Sequence, residues 1–243
     1  MSAEVAVSIS DFLLAGFSGA LALRLQSRPT EMRRTRRWFA IVLGAIAVSS
    51  FLGAISHGFV PQENGRLGAL IWRSTLMLIG PAAVGLCMLA SLLLFRPGII
   101  ERARALALIT LAIYVGLVLF EYHEFVIALL LYLPATLLLL AAFLMRWRQG
   151  QSFGADGALA MVLTLAAGIL QYLHIDIHPV YFNHNALYHV VQGVALFFLY
   201  RAGGERCLAA FQLVSRAGVV PEPELIEFRS AVEIGRASCR ERV

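Results

Sequence analysis

The chain has 243 residues, and its composition excludes an ordinary water-soluble domain. Hydrophobic residues make up 59% of the sequence and charged residues only 14%, with a mean hydropathy of +0.76. A soluble domain has about 45–50% apolar residues, so it could not hide this much apolar surface from water. The formal net charge is +5, and all 20 basic residues are Arg. These Arg stand between apolar segments, not along one exposed stripe, which argues against nucleic acid and indicates membrane lipids as partners.

Seven apolar segments are long enough to cross a membrane as helices. About 20 mainly apolar residues span the hydrocarbon core, and backbone groups in lipid must satisfy one another, which favours helices. A short polar stretch separates the fourth and fifth segments, so we expect two helices joined by a tight hairpin there. The sequence therefore predicts an all-α fold, a seven-transmembrane-helix bundle. The predicted spans are 5–25, 38–60, 69–95, 103–122, 124–146, 156–174 and 185–202.

The distribution of Arg predicts the orientation of this bundle. Thirteen Arg lie at one end, here called the Arg-rich end, and only Arg66 and Arg73 lie at the opposite end. Short basic loops stay in the cytoplasm. We therefore expect a multi-pass protein of the cell's inner (plasma) membrane, with the N-terminus outside and the C-terminus in the cytoplasm. Residues 1–206 would form the membrane domain and 207–232 a cytoplasmic tail, while 233–243 resemble vector-derived read-through and are excluded from functional interpretation.

All six His fall at the end opposite the Arg-rich end, here called the His-rich end. Asp11 joins them, about six residues or ~9 Å inside the first predicted span. A carboxylate within a membrane helix is costly, so it usually faces the bundle interior and has a partner. Because Asp11, His57 and His189 lie at similar depth, we predict that they meet just below the outer surface. The six His are His57, His123, His174, His178, His184 and His189.

Two pairs of these His are close enough in sequence to suggest a shared metal ion. His174 and His178 are four residues apart, which places two imidazoles on one helical face. Pro179 follows directly and predicts that the helix ends there, against that geometry. His184 and His189 are five apart, and they share a metal only if His184 precedes the helix and bends back. No role is predicted for His123.

A His late in the second span and a polar first turn of the seventh span resemble the alkaline ceramidase and progestin–adipoQ receptor superfamily. That resemblance implies a zinc-dependent lipid amidase, in which His57 corresponds to the first zinc ligand and His189 to the last. Asn185 stands where the family has its middle His, one residue after His184, and Gly53 stands where the family has a Ser. The same stretches are also similar to bacterial seven-helix membrane proteins without an assigned function.

The function that we expect is a zinc-dependent membrane hydrolase acting on a lipid amide or ester near the non-cytoplasmic face. His57, His184 and His189 would hold zinc, and Asp11 would orient the attacking water or take its proton. One alternative is a metal permease, or a haem protein with His57 and His189 as axial ligands. Another is a structural membrane protein, with interfacial His and with Asp11 as a structural carboxylate, paired for example with Arg73.

Overall fold

The computed structural model describes residues 3–27, 33–60, 65–120 and 124–204. Over these residues the protein is all-α, with seven helices in the predicted order. The two predicted tail segments and His123 lie outside the described residues. The helices are α1 (Ala3–Gln26), α2 (Arg33–Gly58), α3 (Gly65–Leu94), α4 (Pro97–Phe120), α5 (Phe125–Arg148), α6 (Ser152–Tyr172) and α7 (His184–Ala202).

Six of the seven helices, α1 to α6, are long and apolar enough to cross a membrane. The seventh, α7, has 19 residues and packs between α1 and α6. At the Arg-rich end, α2 begins at Arg33 instead of residue 38, and α4 begins at Pro97 instead of residue 103. Long Arg side chains lie along lipid while their charged heads reach water, so a helix can continue past the apolar segment that predicts it.

Six helices form a closed ring, and α4 lies outside it. Around the ring, α1 contacts α2, α2 contacts α3, α3 contacts α5, α5 contacts α6, α6 contacts α7, and α7 returns to α1. The fourth and fifth helices are separate, as the sequence predicts, but they barely touch each other because both pack on α3. The Tyr114 hydroxyl attaches α4 to α3 by donating to the Leu76 carbonyl at 2.8 Å, just over one turn before Pro81.

The half of the ring at the Arg-rich end is filled by side chains. A cluster of buried apolar residues joins all six ring helices there, with Leu25, Phe39, Leu89, Phe143 and Leu199 among its members. Close packing of this kind leaves few gaps as large as a water molecule. The Arg-rich half of the ring therefore has a close-packed apolar interior.

Candidate functional site

A cavity of about 130 Å³ lies inside the ring at the His-rich end. All six ring helices contribute to its lining, and a cavity of roughly 150 Å³ is enough for a benzene-sized molecule. Much of the wall is apolar, from Leu14 on α1 to Leu129 on α5. The polar or amphipathic side chains that line it are Asp11, Ser49, Ser50, His57, Trp72, Thr75, Tyr132, Gln171, Asn185, Tyr188, His189 and Gln192.

At the centre of this site, Asp11 of α1 pairs with His189 of α7. Asp11 Oδ1 lies 3.1 Å from His189 Nε2, and the two residues are only 4% and 9% exposed. The other ring nitrogen, His189 Nδ1, lies 2.8 Å from the hydroxyl oxygen of Ser10. Both ring nitrogens of His189 are therefore engaged, and the imidazole is fixed between two neighbouring residues of α1.

The hydrogen bonds of this trio allow two arrangements that differ by one proton. The single hydroxyl proton of Ser10 has two acceptors, the Val7 carbonyl oxygen and His189 Nδ1, each at 2.8 Å. If Ser10 donates to Val7, His189 Nδ1–H donates to Ser10, and one further proton lies between Nε2 and Asp11. If Ser10 donates to Nδ1 instead, Nε2–H donates to an ionised Asp11. Rotation of one hydroxyl group therefore accompanies uptake or release of a proton.

Two residues of α2 accommodate the Asp11 carboxylate. Ser50 lies beside it in the lining of the cavity, and Gly53 leaves the space that the carboxylate occupies. A Cβ atom added to Gly53 would lie 3.0 Å from Asp11 Oδ2 and 3.4 Å from its Cγ, closer than side chains normally pack. A side chain at position 53 would therefore press on the Asp11 carboxylate.

His57 lines the same cavity but has a different partner. Its Nδ1 atom lies 2.9 Å from Glu4 Oε2, at the start of α1, and its ring packs edge-on against Trp72 with centroids 5.9 Å apart. Three of the four predicted site residues, Asp11, His57 and His189, thus line one cavity. This placement alone does not assign them the predicted roles of zinc ligand or proton acceptor.

The fourth predicted residue, His184, is not among the residues that line the cavity. It is the first residue of α7, where its Nδ1 lies 2.9 Å from Asp176 Oδ1 and its ring packs on that of His174. The same Asp176 oxygen accepts the backbone N–H of His184 at 2.5 Å. The side-chain hydrogen bond with His184 lowers the pKa of Asp176, and the backbone bond lowers it further.

His174 and His178 are not on one helical face either. Helix α6 ends at Tyr172, and His174 has a positive φ of 53°, a left-handed conformation that stops a helix. The Nδ1 atom of His178 accepts the backbone N–H groups of Val180 and Tyr181 within the turn after Pro179. Helix α6 thus ends earlier than at Pro179, where the sequence predicts its end, and these two His belong to the exposed α6–α7 loop.

The zinc arrangement implied by the superfamily does not form among the described residues. No three His, Cys, Asp or Glu side chains in residues 3–27, 33–60, 65–120 and 124–204 stand together in a way that could hold a metal ion. His184 lies apart from the cavity, and the two ring nitrogens of His189 lie 3.1 Å from Asp11 Oδ1 and 2.8 Å from the Ser10 hydroxyl oxygen. The same engagement of His189 disfavours it as an axial haem ligand. Zinc stays a prediction from the resemblance.

Two polar residues that line the cavity, both Gln, were not predicted from the sequence. Gln192 lies three residues after His189, one turn deeper along α7, and Gln171 lies near the end of α6. Among the described residues, the side-chain oxygen of each is buried and has no hydrogen-bond partner. The available signal was a polar residue inside an apolar span at helical spacing from His189.

Seven helices, six of them suited to crossing a membrane, define an all-α, multi-pass membrane protein. The chain belongs to the family described as "Family of unknown function (DUF6962)", whose match covers residues 6–207 and so includes all the helices nearly end to end. Comparison with curated proteins and with solved structures gives no match. The resemblance to the ceramidase and adipoQ receptor superfamily therefore stays a prediction.

Proposed function

We propose that this protein is a membrane-embedded hydrolase that cleaves a lipid amide or ester in the cavity at the His-rich end. The observation that carries the proposal is the buried Asp11–His189 pair, which faces a cavity with largely apolar walls. Ionisable residues inside a membrane bundle are costly and usually functional. This pair combines a carboxylate that can accept a proton with an imidazole that can share it.

The proposed step follows from the two arrangements of the Ser10–His189–Asp11 trio. With Asp11 ionised, its carboxylate takes a proton from a water molecule in the cavity, and the hydroxide oxygen attacks the substrate carbonyl carbon. The trio now holds one more proton, and Ser10 donates to Val7. That proton passes to the leaving nitrogen or oxygen as the C–N or C–O bond breaks. A fatty acid and a free amine or alcohol are released, and the trio returns to its first state.

The lining of the cavity favours an amphiphilic substrate. Leu14, Ile46, Ile79 and Leu129 supply apolar walls beside the polar pair, so a molecule with both an acyl chain and a polar group matches the lining. We further propose that the His-rich end faces away from the cytoplasm, because the Arg-rich end is the end that membrane insertion retains inside. Substrate would then come from the outer leaflet.

Asp11→Asn and His189→Gln test the proposal. The purified protein in detergent is given a lipid amide and a lipid ester carrying the same fluorogenic acyl chain, and release of the acid is measured. Each substitution should lower turnover by about 100-fold or more, because it removes the proton acceptor or its partner. The matched control is Asp156→Asn, which removes a carboxylate paired with Arg201 at the Arg-rich end. This pair is partly exposed and lies far along the bundle from the cavity, so this variant should stay within about twofold of the wild type.

Two outcomes decide against the proposal. Wild-type protein that cleaves neither lipid, or an Asp11→Asn variant that retains wild-type turnover, would overturn it. Metal analysis and chelation test the zinc arrangement separately. If turnover requires bound zinc and His184→Gln loses that zinc, the ligand set expected from the sequence is right and a step by Asp11 without metal is wrong.

A further inference from the structure

The deep end of the cavity carries a hydrogen-bond donor that no described residue engages. Gln192 is only 3% exposed and lines the cavity, while its side-chain oxygen is fully buried within the protein. The amide nitrogen is therefore the polar side-chain atom of Gln192 that reaches the cavity, and it has no acceptor among the described residues. An amide N–H can only donate. A polar group without a partner is costly inside a membrane bundle, so this donor indicates an acceptor on a bound molecule.

Tyr132 of α5 supplies a second donor. It lines the cavity, and its hydroxyl makes no hydrogen bond to any residue in the described part of the chain. Helix α5 begins at Phe125 and α7 at His184, both at the His-rich end. Tyr132 and Gln192 therefore lie about 11 Å and about 12 Å along their helices from that end. The two donors thus lie at nearly the same depth, on walls that different helices contribute.

Two further hydroxyl groups in the cavity wall do not compete as donors. Ser49 donates to the Thr75 carbonyl oxygen at 2.9 Å, and the Thr75 hydroxyl donates to the Ile71 carbonyl oxygen at 3.0 Å. The protons of both hydroxyls are therefore already used by the backbone. An anionic head group would face the carboxylate of Asp11, whereas an uncharged carbonyl oxygen has the lone pairs that one N–H and one O–H require.

We infer that the Gln192 amide nitrogen and the Tyr132 hydroxyl bind one carbonyl oxygen of an uncharged acyl lipid. The inference deepens the proposed hydrolase and rests on it only for the claim that this carbonyl is the one attacked, since the binding itself needs no turnover.

The relative depth of these groups gives the two donors a role in the proposed reaction. Gln192 lies one turn below His189 on α7, so a carbonyl oxygen bound there leaves the carbonyl carbon toward the water beside Asp11. This oxygen becomes negative as the hydroxide attacks, and both donors then bind it more strongly than in the ground state. The C=O bond forms again when the C–N or C–O bond breaks.

A ketone, which cannot be hydrolysed, tests the binding. The probe is dodecyl methyl ketone labelled with carbon-13 at the carbonyl, added to the full chain in detergent and followed by infrared spectroscopy. Wild-type protein should give a saturable carbonyl band at lower frequency than the same ketone in a hydrocarbon solvent, because accepting two hydrogen bonds weakens the C=O bond. Calorimetry with the same ketone measures its affinity.

Substitutions assign this band to the two donors. Gln192→Met keeps the length of the side chain without its N–H, and Tyr132→Phe removes only the hydroxyl. Each should move the band part of the way back to its hydrocarbon frequency and weaken ketone binding by about tenfold. The matched controls are Gln151→Met and Tyr172→Phe, because Gln151 caps α6 at the Arg-rich end and Tyr172 is 65% exposed at the other end of that helix. Both controls should keep the wild-type band.

Turnover of the lipid amide and ester tests the role in the reaction. Gln192→Met should lower kcat by about 100-fold and leave KM nearly unchanged, because an oxyanion donor acts mainly on the transition state. A Gln192→Met variant that loses the band but keeps the kcat of a wild type that cleaves these lipids would overturn this role.

Two results would overturn the binding: no low-frequency band in the wild type, including no binding of the ketone, or a band that either Gln192→Met or Tyr132→Phe leaves unchanged. Failure of this inference is distinguishable from failure of the hydrolase proposal. A band that depends on both donors, in a protein that cleaves neither lipid, would uphold the carbonyl site and overturn the hydrolase. Turnover that depends on Asp11, without any such band, would do the reverse.

Discussion

At the scale of single residues, the site depends on how Asp11 is held inside a membrane helix. His189 Nε2 lies 3.1 Å from one oxygen of its carboxylate, and the Ser10 hydroxyl lies 2.8 Å from the other ring nitrogen of His189. Asp11 begins the third turn of α1, about 12 Å from the start of that helix. A carboxylate at that depth is tolerated because its partners replace the water that it has lost.

Ser10 gives a test of the proton arrangement, because it positions His189 without lining the cavity. Ser10→Ala removes the group that alternates between Val7 and His189, so turnover should fall by roughly 10- to 100-fold, as when a residue supporting a catalytic group is lost. The pH dependence of turnover should also shift, because the two arrangements that differ by one proton both need the Ser10 hydroxyl. Turnover is measured across pH with the lipid substrates described above.

The control for Ser10 lies two turns further along the same helix. Ser18 is fully buried, and its hydroxyl donates to the Leu14 carbonyl oxygen of its own helix at 2.6 Å. Ser18→Ala should leave both turnover and the pH profile unchanged. If Ser10→Ala changes only thermal stability, with the same pH profile as Ser18→Ala, Ser10 has a structural role alone.

At the scale of helices, α2 is shaped to lie close to α1 at the His-rich end. Besides Gly53 beside Asp11, Gly58 lies directly against Ser8, and a Cβ atom there would clash with the Ser8 side chain. Ser8 in turn donates to the Ala54 carbonyl oxygen at 2.8 Å. Small residues allow helix backbones to approach in a membrane, where lipid tails are as apolar as the side chains and packing provides much of the attraction.

Gly53→Ala tests whether this close approach serves the site and not only the fold. Ala favours a helix over Gly by about 1 kcal/mol, but its Cβ would press on the Asp11 carboxylate. We expect thermal stability to be kept while turnover falls by at least about tenfold, as small displacements of catalytic groups cause. Gly44→Ala, on the same helix with open space around the added Cβ, is the control and should retain turnover. Equal activity in the two variants would show that Asp11 needs no such space.

At the scale of the whole molecule, the two halves of the ring differ: one contains a cavity and the other a packed apolar cluster. The cavity lies among residues of the His-rich half, and the buried cluster around Leu25, Phe39 and Phe143 fills the other half. The polar side chains that line the cavity therefore lie toward one end of the ring.

Reporter fusions test the orientation of this asymmetric bundle. Fusions after Arg37, Arg104, Arg148 and Arg206 should all report the cytoplasm, because each position belongs to the Arg-rich end. A fusion after Arg66 should report the opposite side. An outside signal at Arg148 would contradict the prediction and would mean that α4 and α5 do not make two separate crossings.

The sequence by itself determined the number, type and order of the helices, and the breaks between them. Each helix is encoded locally, since a long apolar segment in lipid has no other way to satisfy its backbone groups. The His-rich and Arg-rich ends also follow from the sequence, because alternating helices return every second connection to the same end. Pro179 predicted a helix end, but α6 already ends at Tyr172 and His174 has a left-handed backbone conformation, which the sequence did not predict.

Only the tertiary structure decided which of these residues stand together. Depth along a helix is readable from the sequence, but rotation about its axis and the choice of neighbours are not, because they depend on packing among all seven helices. From the sequence, Asp11, His57 and His189 could be placed at one level. The separation of His184 from them, the space at Gly53, and a Gln192 side-chain oxygen without a partner among the described residues could not be predicted. The position of α4 outside the ring was equally hidden, since its apolar surface is compatible with either lipid or protein.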